Sequence, residues 1–95
     1  MTFKEANEIA EQAFFLCNTK GALSRAGHEA QKPFANREQE QASWAEHHVR
    51  IAEYTVEWRL TQQKAFADAR LAMGWPLRDI DTAPLYKPQY EGQSK

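Results

Sequence analysis

Three histidines, one cysteine and three serines are the side chains of this 95-residue chain that could carry nucleophilic or metal chemistry. His47 and His48 are adjacent and follow Glu46. On a helix, neighbours point about 100° apart, whereas chelation needs partners three or four residues along the same face. The positions four residues on are Ile51 and Ala52, which offer no ligand. The Glu-x-x-His pattern of di-iron bundles is absent, because Trp44 and Ala45 stand three residues before the two histidines. His28 is the third imidazole, and nothing local brings it to the others. Cys17 closes an apolar helix face, the setting of an inert thiol rather than an electropositive, reactive one. Ser24, Ser43 and Ser94 lie in no Gly-x-Ser-x-Gly turn, and the four glycines form no phosphate-binding loop. The carboxylates fall on solvated faces in i,i+4 pairs such as Glu46–Arg50 and Lys64–Asp68. The reading is a non-enzyme without metal or cofactor.

Basic residues give a second class of function. Lys20, Arg25, Lys32 and Arg37, with His28 among them, form the one cationic stretch, interrupted by Glu29. A helix-turn-helix reader needs base-contacting polar residues at the start of its recognition helix. The corresponding stretch here reads Arg37-Glu38-Gln39-Glu40-Gln41, and its acids repel phosphate. The net charge of −1 also separates the chain from strongly cationic nucleic-acid binders. A nucleic-acid accessory role is therefore the alternative, not the leading reading.

The aromatic residues are the stronger signal. Trp44, Tyr54 and Trp58 fall within one helical segment, and Trp75, Tyr86 and Tyr90 follow it. Tryptophan and tyrosine dominate the energetics of protein interfaces. An extended, proline-bearing segment with spaced aromatics suits docking in a groove. These six residues are the candidate partner-binding set. Pro84 and Pro88 have PxxxP rather than PxxP spacing, so the segment is not an SH3-type ligand.

The elements that must position these residues are helical. Thr2 and Glu5 form a capping box ahead of a helix over about 3–17, with Phe3, Ala6, Ala10, Ala13, Phe14 and Cys17 on one face. Gly21 suggests a left-handed stop, and a second short helix covers about 22–32, ended by Pro33. From Asn36 to Met73 there is neither Gly nor Pro. Asn36 can cap a long helix over about 37–73, with Thr61-Gln62-Gln63 the place where a break would fall. On this helix Glu46, Arg50, Glu53, Glu57, Lys64 and Asp68 share a narrow charged stripe, while Trp44, Ile51, Trp58, Ala65 and Ala69 form one apolar seam. Ala45, Val49, Ala52, Val56 and Leu60 form a second seam, so the apolar arc is wider than two short helices can cover. Gly74-Trp75-Pro76 ends the helix. The expected architecture is an all-α small helical bundle over 1–74 with an extended aromatic and proline-containing tail over 75–95.

Apolar residues make up 42% and charged residues 26%, the composition of a globular chain rather than a disordered one. The longest apolar run, Ala13 to Cys17, is far short of the roughly 20 residues of a membrane span. The N-terminus shows no signal-peptide pattern, and a lone cysteine fits a reducing cytoplasm. In general style, being short, helical, tryptophan-bearing and without catalytic signatures, the chain is similar to small regulators and inhibitors encoded by phages and other mobile elements. That likeness is one of type and rests on no motif. The function expected is a non-catalytic protein-interaction module that binds a larger bacterial protein complex, with a homodimer through the long helix as a further use of its apolar arc. A small structural subunit of an enzyme complex is the other alternative.

Overall fold

The computed structural model describes residues 1–85. Two long helices, α1 (Phe3–Ala30) and α2 (Arg37–Ala72), form an antiparallel hairpin, followed by a single helical turn, α3 (Asp79–Thr82). The described chain is all-α, as its periodicity predicts. Both expected start signals are in place. The Thr2 hydroxyl accepts from the Glu5 amide at 3.1 Å while the Glu5 carboxylate accepts from the Thr2 amide at 3.3 Å. The Asn36 side chain accepts from the Gln39 amide at 2.9 Å. Gly74 takes a φ of +75°, the left-handed conformation that stops α2.

Three expectations need correction. The two short helices over 3–17 and 22–32 are one continuous helix, because Gly21 is not a stop. A Cβ built there would meet Ile51 Cδ1 at 3.0 Å, so the glycine's role is close approach of α1 to α2. No break occurs at Thr61-Gln62-Gln63 either. Thr61 donates its hydroxyl back to the Glu57 carbonyl at 2.9 Å within the helix. Gln63 reaches outward, and its amide donates to the Ile80 and Ala83 carbonyls at 2.9 Å each. The segment after Trp75 is accordingly not simply extended, since it folds back on α2 and contains α3. Tyr86 and Tyr90 lie outside the described residues.

The hairpin is a single layer. Its Cα trace measures 58 × 26 × 8 Å. The buried apolar residues among those described are Ala6, Ala10, Ala52, Ala65 and Ala69, all alanine. Small side chains let two helices close tightly, with Ala6, Ala65 and Ala69 at the centre of one cluster and Phe3, Ile9 and Phe66 around it. The same choice pushes large side chains outward: Phe14, Phe15, Leu16, Leu23, Leu60, Leu71, Met73, Trp75, Leu77 and Ile80 are all exposed.

Candidate functional site

Near the turn of the hairpin the alanine seam gives way to polar residues. Ser24 and His28 stand four apart on α1, and Ser43 and His47 stand four apart on α2, so each pair shares one helix face. The antiparallel helices bring them together crosswise. Ser24 Oγ lies 2.8 Å from His47 Nδ1, and Ser43 Oγ lies 2.7 Å from His28 Nδ1. The two contacts are reciprocal: one Ser-x-x-x-His on each helix, with the serine of each beside the histidine of the other. Arg50 Nε donates to Ser24 Oγ at 2.9 Å, and Gln31 Nε2 donates to Ser43 Oγ at 3.3 Å. Each serine thus accepts from a neighbour and has its own proton free for the imidazole beside it.

Aromatic groups close the rung on one side. The Trp44 ring lies 4.2 Å from His28 and 5.5 Å from both His47 and His48, and Phe34 lies 5.2 Å from His28. The Arg25 guanidinium sits 5.1 Å over Trp44. Burial holds the His47 imidazole below its ordinary pKa, and Coulombic repulsion from the neighbouring His48, Arg25, Arg50 and His28 adds to this. His28 is 0% exposed, and its Nε2 has no hydrogen-bond partner among the described residues.

The serine–imidazole distances are those of a nucleophile and its base. The surroundings are not: both serines are buried, and the second nitrogen of His28 meets no orienting carboxylate. Among the described residues no group of three or more His, Cys, Asp or Glu side chains is placed to hold a metal ion. What the arrangement does is fix alignment. An alanine seam can slip by a turn at small cost, whereas slipping here would strand four buried polar groups. The sequence signal for it was the repeated Ser-x-x-x-His at 24/28 and 43/47, which individual weighing of each histidine passed over.

The opposite, open end holds a second polar cluster. Arg78 grips Asp81 with two guanidinium nitrogens at 3.1 and 2.9 Å and with its backbone N–H at 2.8 Å. Arg70 Nε approaches the same carboxylate at 3.5 Å and donates to the Pro76 carbonyl at 3.0 Å. These bonds, chiefly those from Arg78, hold the Asp81 carboxyl down at about 2. They anchor residues 76–83 to α2 and shape a groove of about 440 Å³, lined by Trp58, Gln62, Phe66, Ile80 and Leu85 among others.

The candidate aromatic residues do not converge. Trp44 belongs to the polar rung. Tyr54 lies under Lys20, whose Nζ is 5.4 Å from the ring centre. Trp58 packs on Phe14 at 4.8 Å and also lines the groove. Trp75 packs on Phe3 at 5.3 Å at the open end. Three of the four basic candidates have acidic neighbours: Lys20 pairs with Glu57 at 3.1 Å, Lys32 with Glu29 at 3.1 Å, and Arg25 stands 4.0 Å from Glu29. Arg37 sits in the first turn of α2. No helix among the described residues is long and apolar enough to cross a membrane. No known family model, characterised protein or solved structure matches the chain.

Proposed function

We propose that the chain is a small non-catalytic protein-interaction module that acts by occupying a surface of a larger protein, as a regulator or inhibitor does. The observation that carries this reading is the single-layer hairpin, in which alanine is the only buried apolar residue type among the described residues. A layer of secondary structure must bury its apolar face against another layer. Here the large apolar side chains are left for that purpose. The open end is the surface best formed for a partner: Met73, Trp75, Leu77 and Ile80 are exposed beside a groove already shaped by Trp58 and Phe66. Arg70, Arg78 and Asp81 hold that surface in place, which lowers the ordering cost of binding. The single cysteine fits a partner in a reducing compartment.

The test is affinity capture from a nuclease-treated bacterial lysate with the wild-type chain and with Ile80→Glu. The reading expects a stoichiometric protein that is retained by the wild type and lost with the variant. Retention that is equal for both, or that disappears on nuclease treatment, overturns it. Loss on nuclease treatment favours the nucleic-acid alternative.

A further inference from the structure

The buried seam between α1 and α2 divides by chemistry along its length. Toward the open end, among the described residues, it buries Ala6, Ala10, Ala65 and Ala69. Toward the turn it buries Ser24, His28, Ser43 and His47, with Ala52 the apolar exception. Apolar burial does not respond to protons, whereas an imidazole changes its charge near neutral pH. We propose that the turn half is a proton-operated latch: a proton taken up by His47 parts residues 21–30 of α1 from residues 37–52 of α2, while the open half stays closed.

The hydrogen bonds give the reason. Ser24 Oγ accepts from Arg50 Nε at 2.9 Å and turns its own proton to His47 Nδ1 at 2.8 Å, with that nitrogen as the acceptor. An imidazolium donates from both ring nitrogens, so a proton on Nδ1 sets donor against donor. Reversing the serine would leave its oxygen accepting from two cations and its own proton without the nitrogen it now meets. The groups around the rung are Arg25, His28 and Glu29 of α1, Lys32 of the turn, and Glu46, His48 and Arg50 of α2. Glu29 is engaged by Lys32 at 3.1 Å and Arg25 at 4.0 Å, and Glu46 lies at the surface 4.0 Å from Arg50, so neither is left to neutralise a buried imidazolium. Burial first, and then the neighbouring His48 and arginines, hold His47 below its ordinary 6.5. The opened form therefore binds the proton more readily than the closed one, and acid drives opening.

The two halves also differ in what else holds them. Gly21 and Gly27 both lie in the turn half of α1, where glycine lowers the helicity of a segment that has lost its packing partner. Lys20 bridges to Glu57 at 3.1 Å where the two halves meet. At the open end Arg78, with Arg70 behind it, holds the Asp81 carboxyl at about 2, so these contacts stay ionised well below the range in which His47 titrates. The partner surface at the open end thus remains formed while the latch opens, and the latch stands or falls independently of it. Opening frees Phe34 and Trp44, which pack on His28 at 5.2 and 4.2 Å in the closed form.

Amide hydrogen exchange of the full chain tests this, followed by NMR at pH 7.5 and pH 5.0 and corrected for the intrinsic rate at each pH. One proton taken up on opening raises the opening constant by at most about tenfold per pH unit. Protection over residues 22–30 and 43–50 should therefore fall at least about fivefold at pH 5.0, while that over 6–13 and 62–70 changes by less than about twofold. His47→Asn keeps an acceptor for Ser24 and takes up no proton, so it should abolish the fall. The wild type supplies a check that needs no variant: the His47 ring signals should titrate with the same midpoint as the loss of protection over 22–30. A fall shared equally by both halves, no fall in the turn half, a ring midpoint apart from that of the loss, or the same fall in His47→Asn would overturn the proposal.

Discussion

At His47 the hydrogen bond and the pH dependence of folding are one problem. Its imidazole is held below the ordinary value of 6.5, first by burial and then by His48, Arg25, Arg50 and His28. A base whose folded pKa is depressed binds more protons when unfolded, so stability is complete above about pH 6.5 and falls as the pH drops below it. Glu46 and Glu29, each near an arginine, offset only part of the local positive charge. The urea midpoint should therefore be lower at pH 5.5 than at pH 7.5, and His47→Asn should flatten that slope. An unchanged slope would count against the role given to His47. Ser43 is the sharper case, because among the described residues it is the one hydrogen-bond partner of the fully buried His28 imidazole. Ser43→Ala should cost about 1–3 kcal/mol, read from denaturant melts, as expected for stranding a buried polar group. Asp81 follows the acid rule: its folded pKa lies near 2 against an ordinary 3.8, so its contribution is present above pH 4 and is lost as the pH falls toward 2. Some of these residues were legible beforehand. Thr2, Glu5, Asn36 and Gly74 act locally, within one turn of chain. The crosswise Ser–His contacts were not, because they join residues 15 and 23 apart and exist only once the register is set.

Glycine shows why element boundaries are harder to read than element types. Gly21 and Gly74 carry the same sequence signal at the end of an apolar stripe, but only Gly74 has positive φ. Gly21 is a packing residue against Ile51, and one sequence does not distinguish a stop from a close approach. Gly27 is a third case: it lies in α1, and nothing stands within 4 Å of the place where its Cβ would be. Gly27→Ala should raise stability by about 0.5–1 kcal/mol, since only helix propensity changes. Gly74→Ala should lower it by about 1–2 kcal/mol through the left-handed backbone. Thermal melts of the two variants test the assignments together, and shifts of the same sign would contradict them. The long helix was legible from its uninterrupted pattern, and its width of apolar arc pointed to incomplete cover. The place of that exposed surface was not legible, because an apolar residue on α1 such as Phe14 counts as core on a wheel and is exposed in a two-helix layer.

Taken whole, the molecule is a layer in want of a second layer. Five alanines are its buried apolar residues among those described, while eleven large apolar side chains are exposed. Small chains bury a low fraction of their surface, and one that spends its interior on alanine has little stability in reserve. Association with the proposed partner supplies the missing burial by mass action. The most direct test is thermal unfolding of the purified chain at about 5 and 500 µM. The account predicts a low midpoint, below the roughly 45–65 °C of ordinary domains. A midpoint above about 65 °C that is the same at both concentrations would show that the hairpin is complete alone, and would contradict the account.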